Sequence, residues 1–200
     1  MTGVLKVDDV HGKNDQKNSV TRMTALVAVL AALCVGSNYA MLPLPNINLM
    51  DTIVFVTGLF YGFTPSALGA TIAWLVYGTL NPLGFSGPIL LVVLIAEMIY
   101  ALIGSWIRRT PVGQPKSGYR PVERYLIFGV VGFFASLSYD LITNAVSGIL
   151  AYNSIWIGFL TMNVPIPLGI IHETSNFVFF ATIPPVLLKL MAKGVIPEKL

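Results

Sequence analysis

The chain has 200 residues, of which 55% are hydrophobic and only 10% are charged, and its formal net charge at pH 7 is +3. A soluble domain normally carries about a quarter charged residues, whereas here uncharged stretches such as 52–96 and 141–172 far exceed the roughly 20 apolar residues of a membrane span. The single cysteine, Cys34, excludes an intrachain disulfide framework. The composition therefore predicts an all-α integral membrane protein.

The first 20 residues are polar and mixed in charge, and we expect them to form a mobile cytoplasmic tail. A cleavable signal peptide would place its apolar core closer to Met1. The first helix is predicted over residues 21–42 and ends at "PLPN", because proline removes a backbone donor and asparagine favours turns. The other predicted helices cover residues 48–61, 66–80, 89–109, 125–151 and 168–191.

The segments between these helices are short apart from two. "GFTP" separates helices two and three, and "NPLGFSGP" separates helices three and four. "TPVGQPKSGYRPVER" is a polar loop, whereas "YNSIWIGFLTMNVPIP" is a long uncharged connector. Helices two and three are short for a crossing of roughly 30 Å. They are either shielded by their neighbours, or thin the bilayer locally, or form one broken re-entrant pair. The membrane domain is predicted over residues 21–192, followed by a cytoplasmic tail over 193–200.

Lysine and arginine orient this bundle. All twelve lie in the N-terminal segment, in the middle loop or at the C-terminal end. Positive residues mark the cytoplasmic side of membrane proteins, so four predicted crossings separate the first two groups and two separate the last two. The pattern predicts a six-transmembrane-helix bundle in the plasma membrane with both termini cytoplasmic. The net charge follows from this topology, and we expect no nucleic-acid partner.

With this orientation, the polar residues of the membrane region gather in its outer half. Asp140 and Asn144 lie one turn apart on helix five, and "HETSN" places His172 and Asn176 on one face of helix six. Ionisable groups inside a membrane usually face an interior cavity and mark a substrate or ion route. We therefore predict an outward-facing polar cup. Its candidate substrate-binding residues are Asp51, Trp74, Tyr77, Glu97, Asp140, Asn144, Trp156, His172, Glu173 and Asn176.

Simpler interpretations remain open for some of these residues. Glu97 can instead serve a buried hydrogen bond between helices. Trp74 and Trp156 can be aromatic residues of the membrane interface. The polar clusters on helices five and six favour a functional cup, because burying so many polar groups without a water-filled use is costly.

The inner half of helix one carries small residues at one-turn spacing, Ala28 and Ala32, together with Ala25. Small residues at this spacing let another helix approach closely. They serve either packing within the bundle or docking of a partner.

The chain resembles the substrate-binding S component of an energy-coupling-factor (ECF) vitamin transporter. The resemblance covers about residues 21–192 and lies in the length, the six predicted helices, the basic inner loops, the alanine motif and the outer cup. The segments "MDTIVFVTGLFYGFTPSALGA", "SLSYDLITN" and "IPLGIIHETSNFVFF" are similar to segments of that family. The resemblance implies that a transmembrane T component binds the alanine face and that two cytoplasmic ATPases drive import. The chain itself has no G-x-x-x-x-G-K-[ST] phosphate loop, so we expect no enzyme activity and no cofactor.

Two other functions are alternatives to the one that the resemblance implies. An intramembrane metalloprotease needs H-E-x-x-H on one helix, but here Asn176 holds the last position and the second histidine, His11, lies in the tail. A stand-alone proton-coupled carrier would use the membrane carboxylates as relay groups. Such carriers commonly show two related halves, and the sequence shows no internal repeat.

The charge of the outer half predicts the ligand class. It contains four acidic residues and no lysine or arginine, whereas a buried carboxylate or phosphate ligand is normally met by one of these cations. Aromatic rings and carboxylates together favour a cationic ring or amine. We expect a neutral or cationic nitrogen-containing vitamin, such as a thiamine-, flavin-, corrinoid- or deazapurine-like molecule, rather than an acid. No metal is expected, because the S components for nickel or cobalt carry a histidine after Met1, and here Thr2 follows.

Overall fold

A computed structural model describes residues 7–82 and 84–197, and gives side chains from residue 18 onward. Within these ranges every regular secondary-structure element is a helix and none is a strand, which confirms the predicted all-α class. The α-helices are α1 (Val7–Met41), α2 (Met50–Tyr61), α3 (Phe63–Thr79), α4 (Gly87–Ile107), α5 (Pro121–Tyr152), α6 (Ile155–Thr161) and α7 (Leu168–Ala192).

Four segments are long and apolar enough to cross a membrane, as the composition predicts for a membrane protein. They are Asn18–Met41 within α1, and the whole of α4, α5 and α7. Their outward sides carry large exposed apolar residues such as Leu91, Ile95 and Trp106. An apolar surface of this extent is suited to lipid rather than to water.

Two predictions differ most from the structure. The first helix begins at Val7 rather than near residue 21 and so extends into the predicted polar tail. Extending an existing helix costs little, and no proline interrupts the chain before Pro43. The segment after α5 was predicted as a connector without a helix, and this prediction was wrong in part, because Ile155–Thr161 forms the short helix α6. Ser154 begins α6, and its hydroxyl accepts a hydrogen bond from the Ile157 N–H at 3.4 Å.

The predicted break between helices two and three is confirmed, and it consists of one residue. Gly62 has φ of 91°, a conformation that glycine adopts at little cost. Pro65 lies in the first turn of α3, where its missing N–H removes no helical hydrogen bond. The start of α2 and the end of α3 lie at the same end of the bundle, since Asn48 and Tyr77 line one cavity there. The two helices therefore run antiparallel.

Helix α2 spans only about 18 Å, and its neighbours shelter it on most sides. It packs against α1, α3, α4 and α7. Its closest approach is to α4, where a Cβ built on Gly58 would lie 2.7 Å from the Ala101 carbonyl oxygen. A Cβ on Gly104 would overlap the Phe55 carbonyl oxygen. This contact fixes which face of α2 points into the bundle, and so it places Asp51 inside.

Helices α5 and α7 form another close pair. A Cβ built on Gly132 of α5 would lie 2.5 Å from the Phe180 ring and 2.7 Å from the Asn176 carbonyl oxygen, both on α7. This contact holds the polar faces of the two helices together. At the opposite end, Arg124 anchors the loop before α5 by donating to the Val112 carbonyl oxygen at 2.9 Å and to the Gln114 carbonyl oxygen.

Candidate functional site

A cavity of about 270 Å³ lies at the end of the bundle where α1 meets α2 and α3 ends; we call it the cup. The segment 42–48 covers it, and the Asn46 side chain ties this cover to α7 by donating to the Leu168 carbonyl oxygen at 2.7 Å. Asn46 has φ of 56°, a left-handed conformation that asparagine tolerates better than most residues. The polar and aromatic residues lining the cup are Asn38, Asn46, Asn48, Trp74, Tyr77, Asn81, Tyr139, Asp140 and His172.

Aromatic rings form one wall of the cup. Trp74 and Tyr77 on α3 make an edge contact with centroids 5.8 Å apart. Tyr39 of α1 contacts Tyr77 edge-on at 5.3 Å, and its hydroxyl donates to the Leu80 carbonyl oxygen at 3.2 Å. Across the cup, the Tyr139 ring lies 5.8 Å from the His172 imidazole. These contacts preorganise a wall on which a flat ligand can stack.

The opposite wall contains a buried histidine between two carboxylates. His172 Nε2 lies 2.7 Å from Asp51 Oδ2 on α2. His172 Nδ1 lies 3.0 and 3.1 Å from the two carboxylate oxygens of Asp140 on α5. All three residues are less than a tenth exposed. The triad thus joins three helices through residues that are 121 and 32 positions apart.

The two hydrogen bonds of the triad together require two protons. A neutral imidazole carries one N–H, so it can donate to only one of the two carboxylates. The other contact requires either a second proton on His172 or a proton on Asp51 or Asp140. With His172 doubly protonated and both carboxylates ionised, the triad carries one net negative charge. Of its two carboxylates, Asp140 is the one that lines the cup.

A hydrogen-bonded chain continues from the triad into the core. The Asn176 amide donates to Asp51 Oδ2 at 2.7 Å and to Ser136 Oγ at 2.6 Å. The Tyr100 hydroxyl also donates to Ser136 Oγ, at 3.1 Å. Ser136 in turn donates to the Gly132 carbonyl oxygen at 3.0 Å. Buried polar groups of this kind hold one another in a single arrangement, so the chain fixes the position of Asp51.

Several buried acceptors near the cup lack a partner among the described residues, and they lie on Glu97, Asn38 and Asn176. Glu97 is fully buried; its Oε2 accepts a hydrogen bond from Trp74 Nε1 at 3.0 Å, while its Oε1 has none. Asn38 lines the cup, and its side-chain oxygen is also unpartnered, although its Nδ2 lies 3.2 Å from Met50 Sδ. An unsatisfied buried polar atom costs free energy. Asn38 therefore offers an acceptor to a bound molecule.

The structure divides the predicted site residues into three groups. Trp74, Tyr77, Asp140 and His172 line the cup. Asp51 and Asn176 lie beneath it in the hydrogen-bonded chain, and Glu97 lies behind Trp74. The third group neither lines the cup nor takes part in these contacts, and its members are Asn144, Trp156 and Glu173. Trp156 is 80% exposed and contacts Phe159 of its own short helix.

Sequence reasoning missed several residues of the site, chiefly Asn38, Ser136, Tyr139 and Tyr100. Ser136 lies one turn before Asp140, so the same spacing argument that singled out Asn144 could have found it. Tyr139 is adjacent to Asp140 in the sequence. Asn38 gave no signal, because a single amide near the end of an apolar helix resembles the beginning of a turn.

The predicted docking face lies on the surface of α1. Ala25, Ala28 and Ala32 are all exposed. Gly36 continues this line, and a Cβ built on it would meet no atom within 4 Å. Packing of these alanines within the bundle was the alternative, and the structure does not use them in that way.

Among the described residues, no group of three or more histidine, cysteine, aspartate or glutamate side chains is arranged to hold a metal ion. Comparison of the chain with protein-family models, curated proteins and solved structures gives no match. We therefore infer the function from the geometry of the cup and the charge pattern of the chain.

Proposed function

We propose that this protein is the substrate-binding S component of an ECF-type importer in the plasma membrane. In this proposal six helices cross the membrane, both termini are cytoplasmic, and the covered cup opens to the outside. The observation that carries the proposal is the cup itself. It combines aromatic walls, a carboxylate–imidazole triad and an unpartnered amide oxygen in a membrane protein without a phosphate-binding loop.

The lining of the cup supports a small nitrogen-containing ligand that is neutral or cationic. Asp140 supplies negative charge, Asn38 supplies an acceptor, and Trp74 and Tyr77 supply stacking surfaces. The cup, at about 270 Å³, is slightly smaller than most ligand pockets, which measure about 300–1,000 Å³. Among the expected ligands, a one- or two-ring molecule of the thiamine or deazapurine type fits this volume better than a corrinoid.

Ligand identity is the first test. Protein purified gently in detergent should retain a nitrogen heterocycle, which mass spectrometry of the extracted small molecules identifies. Calorimetry with that molecule then compares two neighbouring carboxyl-to-amide changes, Asp140→Asn in the cup and Glu173→Gln outside its lining. We expect Asp140→Asn to weaken binding tenfold or more and Glu173→Gln to have a smaller effect. Tight binding of a carboxylate vitamin, unaffected by both changes, contradicts the proposed ligand class.

Assembly is the second test, because the proposal requires a T component and two ATPases as partners. The exposed line of Ala28 and Ala32 allows a partner helix to approach closely. Changing both to leucine should abolish copurification of the partners while ligand binding by the isolated chain persists. Ala151→Leu enlarges an exposed alanine on α5 and serves as the matched control. Normal assembly of the double variant removes the reason for assigning this face to the partner.

A second candidate function is a proton-coupled carrier, and the triad favours it. His172 and its two carboxylates form a buried set of exchangeable protons beside the cup. The two functions differ in what they need. A carrier moves its ligand into vesicles as a purified chain under a pH gradient, whereas an S component requires its partners and ATP. Transport by the chain alone supports the carrier and contradicts the ECF proposal.

A further inference from the structure

A long apolar groove lies on the outside of the bundle between α1 and α7, with α2 as its floor. It has a volume of about 770 Å³ and is lined by side chains such as Leu30, Ile53, Val56 and Ile183. Helices α1 and α7 each pack against α2 but make at most marginal contact with each other. The groove follows the whole length of α2, about 18 Å. That distance is close to the depth of one leaflet of the hydrocarbon core, about 15 Å.

The groove ends in a second cavity that is polar and basic. This cavity of about 780 Å³ shares Phe60, Tyr61, Met191 and Arg108 with the groove and adds Arg109. Both arginines are exposed, and neither guanidinium donates a hydrogen bond or forms an ion pair to any residue that the structure describes. The Arg108 guanidinium lies over Gly62, since a Cβ built there would be 3.1 Å from its Nη1.

The charges around this basic cavity are of one sign. No acidic side chain of the described residues lines either cavity. The first residues of α3, Phe63 and Thr64, line the basic cavity with the positive end of that helix. An apolar groove of leaflet depth thus leads to two unpaired arginines at one end of the bundle.

From this continuity and charge we infer that the groove and the basic cavity together bind one anionic phospholipid. An acyl chain lies along α2 between α1 and α7, and the phosphate is held by Arg108 and Arg109. Arginine binds phosphate through paired N–H donors, and basic pockets between membrane helices on the cytoplasmic side bind anionic headgroups. This site is separate from the cup and does not rest on the proposed transport function.

The test uses the full chain, purified in detergent and then delipidated. Phosphatidylglycerol, phosphatidylcholine and inorganic phosphate are added in separate samples, and native mass spectrometry counts the lipid bound per chain. We expect one retained phosphatidylglycerol and a clear preference for it over phosphatidylcholine. Each arginine near an anionic surface contributes roughly a fivefold preference, so Arg108→Gln with Arg109→Gln should lower the preference roughly 25-fold.

The matched control is Lys116→Gln with Arg120→Gln. It removes the same charge from exposed residues of the same loop that line neither cavity. Equal loss of lipid in both double variants, or no loss in the arginine variant, overturns the inference. Raising inorganic phosphate should leave lipid retention unchanged. If phosphate alone displaces the lipid completely, the site is one for free anions and the inference of a lipid is wrong.

A second pair of variants tests the acyl chain without changing charge. Ile183→Trp fills the groove, whereas Leu126→Trp enlarges an exposed residue of α5 that lines neither cavity. We expect the first change to lower retention of phosphatidylglycerol at least fivefold and the second to leave it unchanged. Equal retention by both variants means that no chain lies in the groove. A monodisperse elution profile is required of each variant, so that loss of lipid is not confused with loss of fold.

Discussion

Replacing His172 with leucine removes the imidazole that joins Asp51 to Asp140 and leaves two buried carboxylates facing an apolar side chain. A hydrogen bond to a charged group contributes about 1.5–3 kcal/mol, and His172 makes one such contact with each carboxylate. Losing both contacts should lower the free energy of unfolding by about 3–6 kcal/mol. This agrees with the roughly 3–5 kcal/mol by which removing one partner of a buried ion pair destabilises a protein.

This loss should be visible in thermal unfolding of the purified protein in detergent, followed by intrinsic fluorescence. For a chain of this length, about 1 kcal/mol shifts the melting midpoint by roughly 2–4 °C. His172→Leu should therefore lower the midpoint by roughly 6–24 °C. Trp156→Leu, at a residue that is 80% exposed, is the control and should shift it by less than about 2 °C.

A compensated variant separates the electrostatic reason from a packing defect. Adding Asp51→Asn and Asp140→Asn to His172→Leu removes the two uncompensated charges, so the triple variant should recover more than half of the lost stability. Coupling of this kind is expected for residues that share one hydrogen-bonded network. If His172→Leu melts at the same temperature as the wild type, the reasoning is refuted. It is also refuted if the triple variant melts at a lower temperature than His172→Leu.

Three further predictions concern the cup and the helix contacts that position it. Trp74→Phe keeps a ring in the wall but removes the one side-chain hydrogen bond that Glu97 makes within the described part of the chain, so ligand affinity measured by calorimetry should fall about tenfold, partly through lost order in the wall. Asp140→Asn should reduce the affinity for a cationic ligand more than for a neutral analogue of the same shape, which paired calorimetric titrations can measure. Gly104→Ala should sharply lower the yield of monodisperse protein, because its Cβ would overlap the backbone of α2, whereas Gly36→Ala should leave the yield unchanged.

The class of the protein and the positions of its helices were readable from the sequence. Apolar runs, and breakers such as Gly62 and Pro65, act locally, because proline lacks a donor and glycine tolerates the left-handed region. The gathering of polar residues at one end of the bundle was also readable, since helical rise converts sequence position into depth. The helix α6 was missed because the apolar run at Ile155–Thr161 is only two turns long, too short to show a period.

Which polar residues meet was decided only by the tertiary structure. The sequence placed Asp51, Asp140 and His172 in the same half of the membrane region, but depth does not say which face of a helix points inward. That rotation depends on close backbone contacts, at Gly58 and Gly104 for α2 and at Gly132 for α5, that join residues far apart in the chain. The same contacts bring Asp51 beneath the cup, while Trp156 stays on the surface of a short helix. Hydropathy fixes the depth of a side chain, whereas packing between helices fixes its direction, and the cup depends on direction.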